Sequence, residues 1–183
     1  YMDRAESLYF YTDAAAAARL PLSRPKFAHK GNCGHALLVC GSEDMAGAAV
    51  LATGAALRSG CGLVTVHLPR SERVSVHANS PSAIVSGDPE PVFSRLPRDM
   101  GRYDAVGVGP GVGQDPRSFE ALEALLRAGL PAVIDADALN MLSARTELQR
   151  LVARGSILTP HLGELRRLAG DWASEDEKIE KTR

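Results

Sequence analysis

Short apolar runs alternate with helical stretches along most of the chain, and this alternation constrains the fold more than any other feature of the sequence. Strand-like apolar runs lie at residues 36–41, 62–69, 83–86, 103–109, 131–135 and 156–159. Helical patterns lie at residues 14–18, 46–59, 116–128, 147–154 and 174–183. Parallel strands need crossover connections, which are usually helical. The sequence therefore predicts an α/β fold, a doubly wound and mostly parallel sheet with helices on both faces.

Charge and composition exclude several classes of partner. The formal net charge of the 183 residues is −1, with acidic and basic residues interspersed, so no broad basic face is expected for a nucleic acid. No apolar run reaches the roughly 20 residues that span a bilayer, so we expect no membrane segment. Cys33, Cys40 and Cys61 are odd in number and lack metal-ligand spacing. Reduced thiols of this kind indicate a cytoplasmic protein.

The first candidate loop follows the strand at residues 36–41. Gly41 and Ser42 come directly after that strand, and the next helix opens with small residues that include Gly47 and Ala48. In open parallel sheets, ligands bind beyond the carboxyl ends of the strands, and unshielded amides at a helix N-terminus suit an anion. Small residues also permit close packing of a helix on a sheet, and the sequence leaves both interpretations open.

The second candidate loop follows the strand that runs through Val106. Gly109, Gly111 and Gly113 alternate with other residues there, and successive backbone amides in such a loop can form a concavity for pyrophosphate. A plain tight turn is the alternative, because Pro110 followed by Gly111 is a normal turn dipeptide.

The third candidate loop carries two carboxylates and an amide. Asp135, Asp137 and Asn140 follow the apolar run Ala132-Val133-Ile134. Oxygen donors at a strand end can bind ligand hydroxyls or hydrated Mg²⁺. Asp137 could instead cap the helix that follows.

The fourth candidate loop places a histidine between a strand and a helix. Either Thr159 or His161 is expected to cap that helix, while the imidazole of His161 and the carboxylate of Glu164 face the ligand crevice.

Six ordered motifs, taken together, resemble one family. They are His29-Lys30-Gly31-Asn32-Cys33-Gly34-His35, the loop from Gly41 to Ala49, the segment from Ala55 to Thr65, Gly109-Pro110-Gly111-Val112-Gly113, Asp135-Ala136-Asp137-Ala138-Leu139-Asn140 and Thr159-Pro160-His161-Leu162-Gly163-Glu164. They are similar to the ADP-dependent NAD(P)H-hydrate dehydratases of the ribokinase-like superfamily, over residues 29–168. The resemblance implies a lyase that repairs C6-hydrated NADH and NADPH, with ADP as phosphoryl donor and Mg²⁺ as cofactor.

The resemblance also assigns residues to the crevice. It implies that Ala48, Gly111 and His161 contact the hydrated dinucleotide and that Asp135, Asp137 and Asn140 line the same site. The phosphate-loop candidates are Gly41, Ser42, Gly47, Gly109 and Gly113. One departure is Leu162, which stands where the family usually has proline.

Family members continue beyond the region that this chain matches. Their catalytic base is the aspartate of a Gly-Thr-Gly-Asp turn, and no such turn occurs before Arg183. We therefore expect that the C-terminal part of the fold is missing, that the catalytic aspartate lies beyond Arg183, and that the isolated chain is inactive. Residues 1–25 resemble the connector that follows an epimerase domain in bifunctional repair enzymes, and residues 26–183 then form the N-terminal portion of the dehydratase domain. Homo-oligomers are common in the family.

Two other functions remain open from the sequence. The same superfamily includes kinases of vitamin-precursor alcohols and sugars, and a shared sheet says little about substrate. A non-catalytic nucleotide-binding module is the second alternative.

Overall fold

A six-stranded sheet, parallel throughout, forms the centre of the molecule. The computed structural model describes residues 13–18 and 24–182, and its strand order is β3-β2-β1-β4-β5-β6. The strands are β1 His35–Val39, β2 Leu63–Pro69, β3 Ile84–Asp88, β4 Ala105–Val108, β5 Ala132–Ile134 and β6 Ile157–Leu158. The helices are α1 Ala14–Ala17, α2 Ala46–Arg58, α3 Arg73–Asn79, α4 Pro116–Arg127, α5 Ala136–Ala144, α6 Leu162–Ala169 and α7 Glu175–Lys181.

Alternating side chains of β1 pack into two separate cores, one on each face of the sheet. Leu37 and Val39 point into a large cluster that is closed by α4 and α5. Leu38, on the opposite face, packs into a smaller cluster with residues of α2 and α3, among them Ala49 and Val76. Helices therefore cover both faces, which confirms the predicted doubly wound α/β fold.

The carboxyl ends of four neighbouring strands lie at one level. Val39 of β1 pairs in register with Val108 of β4, Val108 pairs with Ile134 of β5, and Ile134 pairs with Leu158 of β6. All four candidate loops therefore leave the sheet from the same rim, as the sequence predicted.

The structure differs from the predicted helices at two places. Residues 147–154 were expected to form an α-helix, but the structure has a 3₁₀ segment, Thr146–Leu151. Leu148 is buried and Leu151 packs against the same core, and a spacing of three residues suits the threefold repeat of a 3₁₀ helix. Helix α3 was not predicted, because only Val76 of its seven residues is buried and the apolar pattern is correspondingly weak.

Part of the sheet face on the α2 side is uncovered. Beyond α2, a cavity of about 300 Å³ is lined mainly by apolar side chains of β1, β4 and β5, including Leu38 and Val133. Val133 is 44 % exposed and Ile157 of β6 is 59 % exposed.

The sequence also predicts a connector at residues 1–25, reduced cysteines and the absence of a membrane segment. Residues 1–12 and 19–23 of the predicted connector lie outside the described residues. Cys33, Cys40 and Cys61 are free thiols. In the described part of the chain, no helix combines the length and the apolar character needed to cross a bilayer.

Candidate functional site

The first two loops touch each other directly. A Cβ atom built on Gly111 would lie 3.0 Å from the Cβ of Ala48 and 3.1 Å from the Cβ of Met45. The amide of Gly41 donates a hydrogen bond to the carbonyl of Pro110, at 2.8 Å. The loop after β1 and the loop after β4 therefore form one continuous wall, and two of the predicted substrate-binding residues, Ala48 and Gly111, are in contact.

The loop after β4 is a tight turn that also packs closely against the loop after β5. Val112 donates its amide to the carbonyl of Gly109 at 3.2 Å, and Gly111 has φ +70°, which the third position of a type II turn requires. A Cβ on Gly109 would lie only 1.8 Å from the carbonyl oxygen of Asp135. The turn interpretation is therefore correct for residues 109–112, and the second and third loops also adjoin.

Most of the predicted phosphate-loop amides already have partners. Gly109 donates to the carbonyl of Val39 at 3.1 Å, and Gly113 donates to Oδ2 of Asp137 at 3.0 Å. With Gly41 bonded to Pro110, three of the four candidate glycines donate their amides within the protein, and Ser42 is buried. Gly47 differs, because no atom lies within 4 Å of a Cβ built on it and no partner for its amide is found among the described residues.

The third loop presents a carboxylate without a partner. Asp135 is the N-cap of α5, but its side chain makes no capping hydrogen bond, and within the described residues its carboxylate has no hydrogen-bond or ion-pair partner. Ala136, next to it, has φ +48°, the single positive value among the described non-glycine residues. Strain of this kind concentrates at binding sites. Asp137 does not cap the helix, because its carboxylate accepts the amide of Gly113.

His161 in the fourth loop is the N-cap of α6. Its Nδ1 accepts the amides of Gly163 and Glu164, at 3.0 and 3.3 Å. Oε2 of the buried Glu164 in return accepts the amide of His161 at 2.9 Å, which completes a capping box. The imidazole is 67 % exposed, and its Nε2 lies 3.3 Å from Oε1 of Glu164, so both ring nitrogens face groups of the same helix. Contrary to the prediction, Glu164 turns back to cap its own helix.

The third loop is joined to the fourth through α6. Nε of Arg167 donates to Oδ1 of Asn140 at 3.1 Å. Both residues line a cavity of about 560 Å³, together with Gln114 and Ser143. Neither Gln114 nor Arg167 was singled out in the sequence, since each stands outside the recognisable motifs. Within residues 13–18 and 24–182, no hydrogen bond or ion pair joins His161 to Ala48 or Gly111.

The side chains of the four loops could bind Mg²⁺ only together with oxygen donors from a ligand or from water. No group of three His, Cys, Asp or Glu side chains able to hold a metal ion occurs in the described part of the chain. Mg²⁺ in nucleotide enzymes typically takes one or two carboxylates together with substrate phosphates and water. Asp135, whose carboxylate is unpaired, is suited to such a shared site.

The strand order and the four loops at the carboxyl ends of β1, β4, β5 and β6 define a doubly wound α/β protein of the ribokinase-like kind. In such sheets ligands usually bind at this rim. Residues 36–183 match the family model Carb_kinase, described as NAD(P)H-hydrate dehydratase. The chain belongs to this family.

Relatives and solved structures agree with that assignment. The bifunctional NAD(P)H-hydrate repair enzyme Nnr of Synechocystis sp. is 41 % identical over 162 residues, which cover 85 % of this chain and 30 % of the relative. The ADP/ATP-dependent NAD(P)H-hydrate dehydratase of Bacillus subtilis, co-crystallised with ATP and Mg²⁺, aligns with a TM-score of 0.66 and 32 % identity, over 81 % of this chain and 51 % of that one. A ribokinase-like superfamily protein of Enterococcus faecalis aligns with a TM-score of 0.66 and 26 % identity, over 80 % and 52 %. The chain thus spans about a third of the bifunctional relative and about half of the solved structures.

Proposed function

We propose that this chain forms the substrate-binding portion of an ADP-dependent NAD(P)H-hydrate dehydratase. In the proposed reaction, a nicotinamide ring hydrated at C6 loses water and the reduced dinucleotide is restored. The observation that carries the proposal is the contact between Ala48 and Gly111 at the register-aligned rim of the sheet.

The small residues of the wall suit a flat, extended ligand. Because Ala48 and Gly111 carry little or no side chain, a ring or ribose can approach the backbone closely there. Helix α2 has no side-chain cap at Met45, and the amide of Gly47 is unshielded, so its N-terminus is suited to a phosphate of the dinucleotide. Asp135 and Asn140 on the adjoining loop offer oxygen atoms for ligand hydroxyls.

The chemistry requires activation of a poor leaving group. Hydroxide is a poor leaving group. Transfer of the terminal phosphoryl group of ADP to the C6 oxygen releases AMP and makes that oxygen a good leaving group. The ring nitrogen lone pair then expels phosphate, and loss of a proton from C5 restores the C5–C6 double bond. Positioning and charge stabilisation supply most of the catalysis in phosphoryl transfer. The residues of this chain hold and orient the hydrated ring, and the catalytic aspartate is proposed to lie beyond Arg183.

The remaining features of the proposal come from the relatives. ADP is proposed as the donor, and Mg²⁺ would be held jointly by its phosphates and by the carboxylate of Asp135. A fused epimerase domain, a homo-oligomeric state and a cytoplasmic location are parts of the same proposal, and the name of the bifunctional relative supports the first of these.

The test is an absorbance assay on the full-length gene product. Purified NADPH hydrate is incubated with the protein, with and without ADP, and the recovery of NADPH absorbance is followed. We expect recovery only when ADP is present. A matched His161→Asn variant, which keeps an N-cap acceptor, should raise KM more than it lowers kcat.

Melting temperatures and turnover distinguish the proposal from its two alternatives. If hydroxymethylpyrimidine, hydroxyethylthiazole or a sugar raises the melting temperature of the full-length protein while NADPH hydrate does not, the protein is a small-molecule kinase. If no ligand is turned over, the non-catalytic alternative holds.

A further inference from the structure

A second cavity lies at the β2–β3 edge of the sheet. It has a volume of about 460 Å³ and is bounded by β2, β3 and the segment of residues 95–103. A volume of this size is typical of small-molecule sites. None of its lining residues belongs to the crevice described above.

Four arginines line this cavity with little opposing charge. They are Arg70, Arg95, Arg98 and Arg102, and Asp99 is the one acidic residue beside them. Within residues 13–18 and 24–182, none of the four guanidinium groups has a side-chain hydrogen bond or an ion pair. Some arginines elsewhere on the surface do pair, as Arg117 does with Asp115 and Glu90. The guanidinium group of Arg102 lies over the ring of Tyr103, 5.8 Å from its centroid. The lining therefore carries four positive charges against the one negative charge of Asp99.

The floor of the cavity is polar, although the neighbouring part of the same sheet face is not. Leu37 and Val39 of β1 enter the large apolar core, whereas β2 and β3 contribute Thr65, His67 and Ser86 to the cavity. Thr65 and His67 are almost fully buried. Buried polar side chains weaken an apolar core unless they are hydrogen-bonded, and here each has a partner, as His67 Nδ1 lies 2.9 Å from Ser86 Oγ.

A buried carboxylate fixes the segment that carries the arginines. Asp88, at the end of β3, is fully buried. Its oxygens accept the amides of Glu90, Ser94 and Arg95 at 3.0, 2.8 and 3.2 Å, and the hydroxyl of Ser94 at 2.6 Å. Nε2 of His67 approaches the same carboxylate at 3.2 Å. The backbone at Arg95 is therefore held in place before any ligand arrives.

We propose that this arginine-lined cavity is a second ligand site, for a small organic molecule that carries a phosphate or pyrophosphate group. A guanidinium group presents paired N–H donors that match the oxygens of a phosphate. The ordered segment limits the conformational cost of binding. The proposal does not depend on the dehydratase activity, because the two sites share no residue.

The experiment titrates the 183-residue chain with inorganic pyrophosphate and follows backbone amide shifts by NMR. We expect saturable shifts at Gly87 and Arg95, with smaller changes at Gly47 and Gly111. The double variant Arg95→Gln/Arg98→Gln should bind at least tenfold more weakly. The exposed Arg154, which lies outside the cavity, is the control, and Arg154→Gln should keep the affinity within twofold.

Three results would overturn the proposal. The first is that pyrophosphate does not bind the unchanged chain saturably, and the second is that it binds the unchanged chain and the double variant with equal affinity. The third is that the amide shifts are confined to the loops after β1 and β4. A parallel titration with citrate at matched ionic strength separates phosphate recognition from general attraction of anions, and equal affinity for citrate would contradict the phosphate assignment.

Discussion

Substitution of Gly109 by alanine tests how closely the second and third loops approach. The added Cβ would lie 1.8 Å from the carbonyl oxygen of Asp135 and 2.9 Å from the Cβ of Ala138. Gly109 also has φ +129°, which alanine rarely adopts. The nearest atom belongs to the backbone, so a side-chain rotation cannot relieve the overlap.

The expected loss of stability follows from two contributions. An unfavourable backbone conformation costs about 1–3 kcal/mol, and overpacking of a filled site costs about 1–3 kcal/mol more. We therefore expect Gly109→Ala to lower the free energy of unfolding by about 4 kcal/mol, a large part of the roughly 5–15 kcal/mol typical of a domain. Urea unfolding of the 183-residue chain, followed by circular dichroism, measures this change.

Gly113→Ala is the matched control. Gly113 has φ +74° but no atom within 4 Å of the Cβ position, so only the conformational cost of about 1–2 kcal/mol applies. If the two variants unfold at the same urea concentration, the close approach of the two loops is wrong.

Three further predictions concern single side chains. The hydroxyl of Thr53 is buried and has no hydrogen-bond partner among the described residues, so Thr53→Val should leave the thermal midpoint unchanged or raise it, and a fall of several degrees would contradict this. His161→Ala removes a capping acceptor and should cost about 1 kcal/mol in urea unfolding, whereas His161→Asn should cost much less, because asparagine is a good N-cap; equal losses would show that the cap is unimportant. Burial lowers the pKa of His67, and although burial opposes it, the hydrogen bonds from Ser94 and Glu90 lower the pKa of Asp88. Both groups therefore contribute stability that is complete above their unfolded pKa values, about 6.5 and about 3.9, and that is lost as pH falls towards the folded values. Asp88→Asn should lower the free energy of unfolding by about 3 kcal/mol at pH 7. It should also reduce the loss of unfolding free energy as pH falls below 4. An unchanged pH dependence would contradict this role of Asp88.

The strands and the rim were predictable because their signals are local. Apolar runs of four to eight residues identified all six strands, and small or polar residues directly after β1, β4, β5 and β6 identified the loops. Since the strands are parallel, these loops had to emerge on one side of the sheet. The family motifs then connected the loops to a dinucleotide, which the residues alone did not specify.

The use of each loop residue was not predictable, because it depends on contacts between distant parts of the chain. Gly41, Gly109 and Gly113 appeared as exposed phosphate-binding amides, but their N–H groups bond to Pro110, Val39 and Asp137. The arginine-lined cavity was unpredictable for the same reason, since helix α3 and strand β3 lie between Arg70 and Arg102 in the sequence. Only the fold brings them together.

The central claim is that the four loops act as one dinucleotide-binding crevice, and a titration of this chain with NADPH tests it most directly. Backbone amide shifts of Gly47, Gly111, Asn140 and Gly163, one from each loop or the helix that follows it, are measured by NMR. We predict that all four shift along a single binding isotherm. Separate isotherms, or shifts restricted to residues outside these loops, would contradict the claim.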